Sequence, residues 1–124
     1  MLKIGLIGCG FMGAMHAEAW LRLSDRAQLV AIADGNAERV SPFAERGVRM
    51  YADADEMLEK EALDVVDICT PTALHTPFLL TAMEHAHDVI VEKPLCLTVE
   101  QTELLLEETQ QRVSAMWFMP LPPI

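Results

Sequence analysis

Positive charge is what this chain has least of: nine lysines and arginines face 19 aspartates and glutamates, a formal net charge of −10. Nucleic acid and anionic membrane surfaces both select for a basic face, so neither is an expected partner. Cysteine is sparse as well. Cys9, Cys69 and Cys96 are far apart and form no CxxC pair, which argues against a disulfide framework and against a zinc or other metal site. No apolar run approaches the length of a membrane span, and the first residues read as a strand rather than a signal peptide. The cytoplasm is therefore the expected compartment. Internal repeats, low-complexity tracts and flexible linkers are also missing. What is plentiful is apolar side chain, 52% of 124 residues, enough for one domain with a sizeable core.

The first 34 residues carry the strongest signal. Lys3-Ile4-Gly5-Leu6-Ile7 is a short run rich in branched residues, as a buried parallel strand should be. It leads into Gly8-Cys9-Gly10-Phe11-Met12-Gly13, a GxGxxG pattern. A helical stretch over residues 14–23 follows, then an apolar strand over 29–33 that ends at Asp34. Asp34 stands at the roughly 20-residue spacing expected of a ribose-binding acid. A lone GxGxxG is weak; one placed after a strand, at the start of a helix and upstream of such an acid points to dinucleotide binding. In that reading Gly8 makes the turn, Gly10 admits the pyrophosphate and Gly13 lets helix and sheet approach. Backbone N–H groups near Phe11 and Met12 hold the phosphates. Asp34 takes the adenosine ribose hydroxyls and disfavours a 2′-phosphate, so NAD is expected, although Arg39 nearby leaves NADP open. The plain alternative is a glycine turn serving packing alone, with Asp34 a solvated acid.

The rest of the chain continues the alternation. Helices are expected at about 36–46, 53–61, 76–85 and 98–112, and strands at 48–51, 64–70, 89–91 and 113–118. Asp53 and Thr98 look like N-caps with an acid or amide three positions on. Thr76-Pro77 reads as a cap with a first-turn proline, and Ser41-Pro42 as a late start or a kink. Alternating strands and helices imply an α/β fold, a doubly wound parallel sheet of the Rossmann type. Right-handed crossovers then bring Gly8 to Gly13, Asp34, Thr70-Pro71 and Glu92-Lys93-Pro94 to one carboxyl edge, where ligands bind. Residues 1–118 are expected to form this domain, and 119–124 an apolar, proline-rich tail.

Lys93 is the sharpest catalytic candidate. At a strand end beside a stiffening proline, an ammonium can polarise a substrate oxygen. A surface lysine paired with Glu92 explains the triplet equally well. His16 reads as a packing residue, His75 as either a helix-start bond or a cofactor contact, and His85 and His87 as residues at a helix end.

The segments GLIGCGFMGAMHAEAW, AIAD, DVVDICTPTALHTP and VEKPL resemble the N-terminal half of the Gfo/Idh/MocA family of NAD(P)-dependent oxidoreductases, over roughly residues 2–116. The resemblance implies a Rossmann domain and hydride transfer to or from a sugar, cyclitol or polyol. It implies that Lys93 reaches substrate and nicotinamide, that Glu92 and Pro94 shape the pocket, that Thr70, Pro71 and Thr72 line the middle of the cofactor, and that His75 lies toward the nicotinamide. Family members continue into a second α/β domain bearing the acid–base histidine. Ending at Ile124, this chain is read as a truncated form expected to lack the full catalytic apparatus. The alternatives are a cofactor-binding module that self-associates through its last strand and tail, a homo-oligomer, or an inactive remnant.

Overall fold

The computed structural model describes residues 1–85, 88–92, 98–112 and 115–118. Lys93, Pro94, His87, Cys96 and the tail 119–124 lie outside the described residues. Strands and helices alternate: β1 (Leu2–Ile7), α1 (Phe11–Arg22), β2 (Ala27–Ala33), α2 (Ala37–Ala44), β3 (Arg49–Tyr51) and α3 (Ala54–Lys60). There follow β4 (Val65–Ile68), a 3-10 turn (Thr72–Leu74), α4 (His75–Met83), β5 (Asp88–Val91), α5 (Val99–Arg112) and β6 (Ala115–Phe118). The six strands form one sheet in the order β3-β2-β1-β4-β5-β6, and every pairing is parallel. The order reverses between β1 and β4, which opens a crevice at their carboxyl ends.

Period-two alternation sorts the side chains onto two apolar layers. Ile4, Leu6, Ile32 and Val65 face the layer shared with Ala17 of α1 and Val40 and Phe43 of α2. Ile7, Val66, Ile68, Val89 and Val91 face Met57, Leu58, Leu79 and Leu105 on the other side. Strands buried on both faces explain the near-continuous apolar runs in the sequence.

Helix starts differ from the sequence reading in two places, α1 and α4, while α2 starts where the expected 36–46 span puts it and not late at Ser41-Pro42. Helix α1 begins at Phe11 rather than at residue 14, with Gly10 as its N-cap, so the last glycine of the turn is already helical. Helix α2 is capped by Asn36, whose side chain accepts the Glu38 amide at 3.1 Å. Pro42 therefore sits inside α2, where it has no N–H for the Glu38 carbonyl. The Ser41 hydroxyl donates to that carbonyl instead, at a long 3.5 Å. Helix α4 begins at His75 behind the 3-10 turn, and the buried Thr76 hydroxyl caps nothing. The two other caps are where the pattern puts them, with Asp53 accepting the Asp55 amide and Thr98 the Gln101 amide.

Candidate functional site

Gly8 leaves β1 at φ +92°, a left-handed conformation that side chains other than glycine's adopt only with strain. Its amide donates to the Ala33 carbonyl at 2.9 Å, which ties the turn to the end of β2. The turn then doubles under α1. A Cβ on Gly13 would stand 2.0 Å from the Gly8 carbonyl oxygen, so only glycine permits this approach. At Gly10 the situation is the reverse. A Cβ there would meet only the Arg39 guanidinium, at 3.9 Å, and would otherwise project into open space.

Asp34 closes the turn from the side. Its Oδ2 accepts the Cys9 amide at 2.6 Å and its Oδ1 the Asn36 amide at 2.8 Å. A carboxylate offers about four acceptor positions, so lone pairs stay available for hydroxyl donors. Between Asp34, the glycine turn and the end of β4 lies an open cavity of about 580 Å³. Gly8, Gly10, Phe11, Met12, Asp34, Thr70 and Pro71 line it, together with Arg39, Cys69, Leu74 and Phe78. The Thr70 hydroxyl is buried there with no hydrogen-bond partner. The amides of Phe11, Met12 and Gly13 belong to the first turn of α1, which has no carbonyls of its own to receive them. Free helix-start amides, space over Gly10, an unpaired hydroxyl and a fixed carboxylate fit an extended ligand with an anionic centre and a diol at one end.

Other candidates lie apart from this cavity. Gly13 packs beneath it, and Thr72 opens the 3-10 turn. His75 is 1% exposed and its Nε2–H donates to the Thr70 carbonyl at 2.8 Å. It braces the cavity wall from behind. Glu92 follows β5, its amide bound to the Ile68 carbonyl at 3.0 Å and its side chain turned toward α1.

That side chain joins a network the sequence reading missed. On the inner side of α1, His16 places Nδ1 at 2.7 Å from Asp67 Oδ2 and Nε2 at 2.7 Å from Glu92 Oε1. Trp20 Nε1 also donates to Asp67 Oδ2, at 2.9 Å. The hydrogen bond to Asp67 is the largest influence on the imidazole. Against the opposing effect of burial, the two carboxylates hold its pKa up at about 9. At neutral pH it is an imidazolium with both N–H groups donating. The one sign of it in the sequence is Asp67, an acid within an apolar strand run, which the fold leaves 1% exposed. A buried acid requires donors, and α1 is the element that packs on its face of the sheet. Cys69 Sγ lies 3.7 Å from Asp67 Oδ1, and burial, then the Asp67 and Glu92 charges, push its thiol far above the ordinary range. His16, Asp67 and Cys69 have donor atoms within 4.8 Å of one another. Hydrogen bonds account for that closeness.

A parallel sheet in this order, with a glycine turn under its first helix and an acid ending its second strand, defines a nucleotide-binding Rossmann domain. A family model described as the oxidoreductase family, NAD-binding Rossmann fold, matches residues 2–118, and the chain belongs to that Gfo/Idh/MocA family as an NAD-binding Rossmann domain. Myo-inositol 2-dehydrogenase of Thermotoga maritima is 34% identical over 112 residues, covering 89% of this chain and 33% of that protein. D-apiose dehydrogenase of Paraburkholderia graminis is 37% identical over 106 residues, covering 84% of this chain and 28% of that protein. Scyllo-inositol dehydrogenase from Lactobacillus casei, solved with bound NAD(H) and scyllo-inositol, superposes with a TM-score of 0.87 at 26% identity. That match covers 95% of this chain and 36% of the solved chain. The chain thus spans about a third of the length of the relatives it matches. No helix among the described residues is long and apolar enough to cross a membrane.

Proposed function

We propose that residues 1–118 seat NAD in the cavity at the carboxyl edge of the sheet, as the cofactor half of a dehydrogenase acting on a secondary hydroxyl of a sugar, cyclitol or polyol. The observation that carries this reading is the Asp34 carboxylate, fixed at the cavity rim by the Cys9 and Asn36 amides. There it receives the adenosine ribose hydroxyls, and its charge opposes a 2′-phosphate. Phe11 and Met12 present their amides to the pyrophosphate across the space that Gly10 leaves. Thr70 and Pro71 form the wall along the middle of the cofactor, Thr72 opens the 3-10 turn that follows that wall, and His75 holds the Thr70 carbonyl in place from inside. NAD, when bound, supplies the hydride-accepting ring. Lys93 is assigned the catalytic role of polarising the substrate oxygen, with Glu92 and Pro94 shaping the strand end around it. The substrate class rests on relatives named for inositols and for apiose.

Fluorescence titration with NADH and NADPH, on the native chain and on Gly10→Ala, tests the site. A methyl at Gly10 meets almost no protein atoms but intrudes where the pyrophosphate approaches. Saturable NADH binding is expected, weaker for NADPH, and reduced roughly tenfold to hundredfold in the variant at unchanged fold. Equal NADH affinity in the two proteins contradicts this placement.

A further inference from the structure

His16 lines none of the cavity, yet both of its ring nitrogens are committed. It stands on α1, a helix that cannot drift, because Gly13 is seated against the Gly8 carbonyl and an added Cβ there would lie 3.5 Å from the Cys69 Cβ. From that anchored position it reaches two other elements at once. One is Asp67 in β4, three residues before Thr70; the other is Glu92, one residue past the end of β5. The strands are in register, with Ile68 opposite Val91, so both carboxylates come from the same end of the sheet. Without a cation between them, two acids converging on one helix face repel each other.

We propose that His16 is a positioning residue for the cofactor cleft, buckling the carboxyl ends of β4 and β5 to α1 through Asp67 and Glu92 and so fixing both the Thr70 wall and the strand end that leads into Lys93. The proposal rests on the reading of the cleft as a dinucleotide site. Among the described residues, the titratable groups facing the imidazole are Asp67 in β4, Cys69 one residue past β4 and Glu92 one residue past β5. Replacing the ring by an apolar one leaves Asp67 with Trp20 and Cys69 as donors. Glu92 loses the cation that holds it. The end of β5 is then the part that loosens, while the distant β2–β3 edge is untouched.

The imidazolium makes the buckle pH-dependent in one direction. Below a pH of about 9 both N–H groups donate. Above it, one nitrogen becomes an acceptor facing a carboxylate, and one of the two ties opens.

The test combines amide hydrogen exchange on the free chain with NADH titration across pH, for the native chain and His16→Phe. Exchange at the Glu92 and Cys69 amides, which bond Ile68 and Ile7, is expected to accelerate on the order of tenfold in the variant, and NADH affinity to fall by a similar factor. The Asp34 amide, bonded to Tyr51, keeps its native rate. Native affinity is expected to decline as pH rises through about 9, and the variant's to show no such step. Native-like exchange and a native-like pH profile in His16→Phe overturn the proposal. If that variant does not fold, Glu92→Gln decides by imidazole NMR. A His16 titration moved toward 6.5 supports the buckle, and an unmoved one overturns it. If the native chain binds no NADH, the dinucleotide reading falls, and hydrogen exchange still decides whether His16 ties the two strands.

Discussion

The Asp34 carboxylate reaches back across the sheet edge to accept the Cys9 amide at 2.6 Å, joining the end of the second strand to the middle of the glycine turn. The same side chain accepts the Asn36 amide ahead of α2. The residue that shapes the turn is therefore the same one to which the proposed function gives the ribose hydroxyls. Asp34→Ala removes both bonds, and a stability loss of about 1–3 kcal/mol is expected. Urea denaturation checks this. A variant as stable as the native chain would show that the turn holds its shape without the acid.

Gly13 and Gly10 separate folding from binding. A methyl at Gly13 collides with the Gly8 carbonyl, and Gly13→Ala is expected to cost about 3 kcal/mol or more through overpacking that backbone cannot relieve. Gly10→Ala changes an N-cap with room around it, so about 1 kcal/mol or less is expected. Thermal melts of the two variants side by side give the contrast directly.

His16 gives stability a signature in pH. Its folded pKa of about 9 lies above the ordinary 6.5, so the folded state binds a proton that the unfolded chain releases near neutrality. The contribution is fully present below pH 6.5, declines between 6.5 and about 9, and is gone above that. Its full size is at most about 3 kcal/mol. Native chain and His16→Phe should therefore differ by more at pH 6 than at pH 10 in denaturant midpoint. An equal difference at the two pH values would remove the imidazolium from the account.

Cys69 should be chemically quiet despite its place on the cavity wall. Burial and the Asp67 and Glu92 carboxylates keep it a thiol, and the thiolate is the reactive form. Alkylation of the native chain near pH 8, mapped by mass spectrometry, is expected to leave the peptide carrying Cys69 unmodified until the chain is unfolded. Rapid native labelling of Cys69 would contradict this.

The sheet was legible because parallel strands buried on both faces must be almost wholly apolar; Ile4 to Ile7 and Leu29 to Ala33 are so, and Val65 to Ile68 is interrupted by Asp67 alone. The glycine turn and Asp34 were legible because their backbone geometry and spacing leave few substitutes. Helix starts were less so. Asn36 outcompetes Ser41 as a cap, since the helix must already be formed at Val40 for Val40 and Phe43 to share its buried face, while Ser41 and Pro42 between them are exposed. The His16 network was hidden because its members are 51 and 76 positions apart in the chain. Only Asp67 gave a local sign, as a charge in a strand that has no water to offer it. His75 read as either a helix-start bond or a cofactor contact, and its backbone partner, the Thr70 carbonyl, depends on the 3-10 turn ahead of α4.

Calorimetric titration of NADH into the native chain and into Asp34→Ala, under conditions where both are folded, tests the central claim most directly. The account predicts saturable binding to the native chain and an affinity roughly tenfold to hundredfold lower in the variant, the loss of charge-assisted bonds to the ribose. No binding to the folded native chain, or the same affinity in both proteins, would contradict it.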